Sequence, residues 1–161
     1  MSTNNKIKVL LCEAGKVAKL IEVEDSYEAM QNLVGGEIEE CMPWEDDVCI
    51  ICNEDGKMLG LSLNRTIKDD NGGFLDVIAG DFFICYAPFE SEKFLSLPED
   101  LAEKYMEEFK WPEQIFLRNG RVHSAHKYNP EFRKKEVLSL KPEKSGKAEN
   151  DYEARGDDYD R

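Results

Sequence analysis

Cys49-Ile-Ile-Cys52 has the C-x-x-C spacing of a zinc or redox site, and His123-Ser-Ala-His126 supplies two imidazoles that could complete one. Strand geometry argues against that reading. A metal-binding C-x-x-C sits on a tight turn, whereas the two isoleucines here predict a strand, on which residues three apart project to opposite faces. No basic group or helix start is placed to lower a thiol pKa, so the cysteines read as core thiols, with no metal and no cofactor. Neither histidine has a serine or cysteine nucleophile in a recognisable signature, and both read as surface residues. Gly35-Gly36 and Gly72-Gly73 are too short to cradle a phosphate. The sequence therefore predicts a protein that is not an enzyme.

Two polar constellations remain. Asn53, Asn64 and Arg65 flank the run from Asn53 to Arg65, and the planar fork of Arg65 could clamp a phosphate or carboxylate of a nucleotide-type ligand. The favoured reading of these two is the plainer one, in which Arg65 pairs with a nearby acid while Asn64 caps a turn. The second constellation is acidic: Glu37, Glu39, Glu40, Glu45, Asp46, Asp47, Asp69 and Asp70 are candidates for binding a partner. Adjacent carboxylates on a strand diverge, so these pairs do not make an acid/base dyad.

The charge is distributed unevenly. Of 161 residues, 34 are acidic and 21 basic, and residues 1–90 hold 18 acids against 7 bases. Residues 91–140 balance at 9 and 9, and residues 141–161 hold 7 and 5. A front segment of this sign argues against direct binding of nucleic acid, whose phosphates need Lys and Arg, and against an anionic membrane surface. It steers the chain toward basic protein surfaces. No stretch approaches the length of a membrane span, no secretory h-region opens the chain, and five cysteines fit a reducing cytoplasmic setting.

The elements that would position these residues form an α+β fold, a small mixed or antiparallel sheet of about five strands with one packed helix. Lys6 to Cys12 and Lys16 to Val23 read as a hairpin. Ser26 caps a helix whose inner face is Ala29, Met30, Leu33 and Val34, ended by Gly35-Gly36. Val48 to Cys52 is apolar on both faces and reads as a central strand, returned through an Asn53 to Gly56 turn by Lys57 to Leu63. Val77 to Tyr86 is a second buried run, with Gly80 marking a bulge or a close backbone approach. A core domain over 1–90 results. Residues 91–140 add a helix-plus-hairpin appendage, signalled by a Ser96-Leu-Pro-Glu99 capping box, a Leu101, Tyr105, Phe109 stripe and an Asn119-Gly120 turn. The polar tail over 141–161 is expected to be disordered.

On Lys8-Val-Leu10, Leu33-Val-Gly-Gly-Glu-Ile38, Ile50-Ile-Cys-Asn53, Gly56-Lys57, Gly60-Leu61, Asn64-Arg65 and Ile78-Ala-Gly80, residues 6–90 resemble the domain-of-unknown-function 3846 family. Ser62 stands where that family tends toward proline, and Phe94 to Val122 resembles an extension of some members. The resemblance implies the company of phages, conjugative elements and their bacterial hosts, and assigns no activity to any residue. Together with the charge it yields one expectation: a cytoplasmic accessory protein of a phage or mobile element whose acids engage a basic host protein surface, nucleic-acid mimicry being one way to do so. A nucleotide-type ligand at Asn53, Asn64 and Arg65 is the alternative. The oligomeric state stays open.

Overall fold

The computed structural model describes residues 5–131. Along the chain run β1 (Lys6–Cys12), β2 (Lys19–Glu24), α1 (Tyr27–Val34), β3 (Ile38–Cys41), β4 (Val48–Asn53), β5 (Leu63–Lys68), β6 (Phe74–Ala79), β7 (Phe82–Tyr86), α2 (Glu99–Phe109), β8 (Glu113–Arg118) and β9 (Arg121–Lys127). The fold is α+β. Its centre is an antiparallel five-stranded sheet in the order β2-β1-β7-β4-β3, accompanied by two-stranded ribbons β5-β6 and β8-β9.

Burial dictates that order. β1, β4 and β7 are the most apolar strands and occupy the interior of the sheet, where both faces need covering. Val9, Cys49, Ile51, Phe83 and Cys85 point to one face, where α1 lays Met30 and Val34 on them. Leu10, Ile50, Phe82 and Ile84 point to the other, which is covered by Trp44, Ile67, Ile78 and the Ala102, Tyr105, Phe109 face of α2. Trp44 stacks at 4.9 Å on Tyr105, and its indole N–H donates to Lys68 O at 2.7 Å, fastening the 42–47 loop to β5.

α1 starts and stops as its residues dictate. Ser26 Oγ accepts from Ala29 N at 3.1 Å, and Gly35 closes the helix in the left-handed region at φ 82°. α2 differs. Its N-cap is Pro98, without a side-chain bond, because Ser96 Oγ instead accepts from Lys8 N at 2.8 Å and ties the helix entry to β1.

Three expectations change. The helix over 99–109 is no appendage: it supplies Ala102, Tyr105 and Phe109 to the main core, so the 1–90 boundary cuts through that core. Asn53 to Gly56 does not turn a hairpin, because β4 already pairs with β7 and β3, and residues 54–60 instead run as successive turns into a separate ribbon. β3 is an additional strand, whose Ile-Glu-Glu-Cys composition carries little strand signal because it lies at the sheet edge. The Asn119-Gly120 hairpin is present, with both residues at positive φ, 54° and 77°, as a two-residue primed turn requires. The tail over 141–161 lies outside the described residues.

Gly80 makes the crossing from β6 into β7 at φ 95°, where an added Cβ would meet Leu61 Cδ1 at 2.8 Å. Gly80→Ala should therefore lower unfolding free energy by about 1–3 kcal/mol in urea titration; an unchanged midpoint contradicts this account of the crossing.

Candidate functional site

The polar trio expected to hold a ligand lies inside the protein. Arg65 on β5 is 0 % exposed. A guanidinium has five N–H donors, and Arg65 uses them in five hydrogen bonds: Nε and Nη2 to Phe109 O at 3.1 and 3.0 Å, Nη2 to Lys16 O at 2.9 Å, Nη1 to Glu13 O at 3.3 Å and to Asn64 Oδ1 at 2.7 Å. Burial pulls its pKa down, while Glu113 among its neighbours pushes the other way. Glu113, itself buried, accepts from Thr66 N at 3.0 Å and Thr66 Oγ1 at 2.7 Å, so β8 is joined to β5 beside the guanidinium.

Asn64, also 0 % exposed, donates through Nδ2 to Cys12 O and Gly80 O, both at 2.9 Å. Asn53 donates to Val34 O at 3.2 Å and accepts from Asp55 N at 2.8 Å. All three side chains are spent on the protein's own groups, chiefly backbone carbonyls and amides. They are joints of the fold, and Asn53 is separated from the other two in its contacts. Ligand binding there is corrected to a structural role, and the buried Arg65 pairs chiefly with carbonyls rather than with an acid.

The cysteines divide as strand alternation requires, Cys49 into the α1-side core and Cys52 against the opposite one. Burial raises the Cys12 and Cys49 thiols to about 12 and Cys52 to about 11. Cys41 is exposed, with its pKa raised by partial burial and by Glu39 and Asp76. His123 and His126 lie exposed on β9.

The eight acids fall into two groups. Asp46 pairs with Lys104 at 2.6 Å and accepts from Tyr105 Oη at 2.8 Å, and these two bonds hold its carboxyl below the usual range. Asp70 accepts from Glu45 N at 3.0 Å, and Asp69 from Gly73 N at 2.7 Å and Asn71 N at 2.9 Å. Most of this loop group, to which Asp47 also belongs by sequence, is thus engaged with its own backbone or with Lys104. The other group belongs to the β3 edge. Glu37 accepts from Tyr27 Oη at 2.7 Å, while Glu39 and Glu40 are exposed on β3 and, among the described residues, neither forms an ion pair.

The acid pattern in the sequence does not disclose an apolar surface nearby. A groove of about 980 Å³ lies between the β5-β6 and β8-β9 ribbons, lined by Leu61, Leu63, Phe74, Ile115, Leu117 and Val122. Met58 and Leu59, in the turns before it, are 82 % and 62 % exposed. The available signal was the unalternating Met58-Leu59-Gly-Leu61 run, which reads as strand until β4 is seen to have both neighbours already.

A family model described as Domain of unknown function (DUF3846) matches residues 7–110. The chain belongs to that family. No curated protein and no solved structure matches it. The DUF3846 match ends just after α2 and leaves out the β8-β9 hairpin, consistent with the helix being part of the core. Several residues that carry the resemblance are joints of the fold: Asn53 packs on Gly36, Gly56 lies against Ala79 O, and Asn64 and Arg65 bind carbonyls. Among the described residues no helix is long and apolar enough to cross a membrane.

Two outcomes follow. Arg65→Met should cost about 3–5 kcal/mol in urea unfolding, and Arg65→Lys should recover less than half, since an ammonium brings three donors at one point to the four acceptors that the guanidinium fork reaches. A loss below about 1 kcal/mol contradicts the structural assignment. With a thiol reagent at pH 8, Cys41 should label first, the half-buried Cys52 more slowly, and Cys12, Cys49 and Cys85 only on unfolding; rapid labelling of Cys49 or Cys85 would show the sheet to be open.

Proposed function

We propose that this chain is a non-enzymatic binding protein that engages a basic surface of a partner protein, an accessory of a phage or mobile element acting in the cytoplasm. The observation that carries the reading is the pair Glu39 and Glu40, exposed on the outermost strand and in no ion pair among the described residues. Glu54 stands beside Glu37 at the same end of the sheet, where Glu54 N donates to Glu37 O at 2.8 Å. Uncompensated carboxylates on a fixed strand draw a cationic surface at long range and select its register at contact.

The division of the acids refines the expectation. Mimicry of nucleic acid asks for a continuous line of charge, whereas the loop group is tied to backbone amides and to Lys104, leaving the β3 edge as the part free to meet a partner. The reading is non-enzymatic because the polar side chains suited to handling a small molecule, Asn53, Asn64 and Arg65, are consumed in holding the fold.

Affinity capture from a bacterial host lysate at about 50 mM and about 500 mM salt tests it. Capture should be lost at the higher salt, and Glu39→Gln/Glu40→Gln should weaken it at least fivefold with thermal stability unchanged. A partner indifferent to salt and to both substitutions, or no partner at low salt, sinks the proposal.

A further inference from the structure

β3 ends the five-stranded sheet, and among the described residues nothing pairs with its outer side. Its register on β4 decides which backbone groups are left over. Ile38 lies opposite Asn53, Glu39 opposite Cys52, Glu40 opposite Ile51 and Cys41 opposite Ile50. Glu54 N donates to Glu37 O, which makes Glu37 and Glu54 a hydrogen-bonded pair. Antiparallel pairs alternate between bonded and non-bonded, so Glu39 and Cys41 face inward to β4 while the N–H and C=O of Ile38 and Glu40 point out.

A cleft lies on each face of this edge. On the face of Glu39 and Cys41 it measures about 420 Å³, with Cys52, Leu75 and Met58 in its wall and Glu39, Glu54 and Asp76 set against one cation, Lys57. On the face of Ile38 and Glu40 it measures about 400 Å³, with Ile38, Met30 and Phe94 in its wall and Asp25, Glu40 and Glu92 set against one cation, Lys93. Both lysines are already paired, Lys57 with Asp76 at 2.6 Å and Lys93 with Asp25 at 4.0 Å. The Cys41 cleft is therefore apolar within and anionic at the rim, while the Ile38 cleft is shallower and more polar, its carboxylates set around Ile38 and Phe94.

We infer that β3 is a docking strand for an extended segment of a partner protein that carries lysine or arginine together with aliphatic residues. The segment adds a sixth strand to the sheet, bonding to the outward groups of Ile38 and Glu40. Side chains of an added strand alternate between faces, so one set enters the Cys41 cleft and the other the Ile38 cleft, and both sets meet carboxylates. A second copy of this chain is the wrong occupant, because β3 against β3 would bring glutamates opposite glutamates. Strand addition takes its affinity from main-chain bonds and its selectivity from alternate pockets. The inference rests on the proposed acidic binding surface and adds to it the mode of binding and the chemistry of the partner.

The test uses the full chain, isotope-labelled for NMR, and two synthetic ten-residue peptides of alternating valine and lysine, one plain and one N-methylated at every residue. The second keeps charge and side chains and loses every backbone donor. The plain peptide should shift and protect the Ile38 and Glu40 amides, leave the β2 edge unchanged, and bind at least tenfold tighter than its methylated form. Glu40→Pro, which removes an outward donor and no inward one, should weaken the plain peptide well beyond Glu40→Gln. Should Glu40→Pro not fold, the peptide comparison alone decides. Equal binding of the two peptides, reversed by salt, overturns strand addition while the acidic surface stands; no binding of either overturns both.

Discussion

A buried cation holds this protein together. Arg65 carries a full positive charge into a place where water does not reach, and such a charge is tolerated only when every donor is met. The partners that meet it come from three separated stretches: the 13–16 loop, Asn64 beside it, and the last turn of α2. α2 has no basic residue in its own last turn, and the orphan carbonyls of a helix end favour cations. Arg65 at Phe109 O, Lys127 Nζ at Glu108 O (2.8 Å) and the Ala18 amide at Lys110 O (2.9 Å) supply what the helix lacks. Removing the arginine would strand the carbonyls of all these elements together.

That constraint explains why the helix and the sheet form one core. Phe109 hands its carbonyl to Arg65 and its ring to Phe82, edge-on at 6.0 Å, so the polar and apolar attachments of α2 sit on one residue. The 13–18 loop is drawn out of the hairpin for the same reason. Lys16 and Ala18, which pattern as strand, turn to Arg65 and to Lys110 O at the end of α2 and leave β2 to begin at Lys19.

The parts legible in the sequence are those whose signal is local. Ser26 and Gly35 announce α1, Asn119-Gly120 announces its hairpin, and the apolar runs place β4 and β7 inside the sheet. What was illegible depends on partners far along the chain. Arg65 looks like a ligand clamp because its acceptors are carbonyls 44 to 52 residues away, and a carbonyl has no signature in a sequence. Ser96 looks like a cap because its true partner, Lys8 N, is 88 residues off. β3 hides because an edge strand with one solvated side needs neither alternation nor apolar residues, and the same feature that hides it leaves it open to a partner.

Structure and proposed function therefore separate cleanly: the residues that resemble a site close the fold, and the strand with the weakest pattern is offered outward. Native-state hydrogen exchange on the whole chain tests this division most directly. The account predicts that α2 amides open only with the same free energy as the central strand β7, as one cooperative unit, while the Ile38 and Glu40 amides exchange freely and those of Glu39 and Cys41 are protected. Opening of α2 well below the global free energy, or protection of Ile38 and Glu40 in the unbound chain, would contradict it.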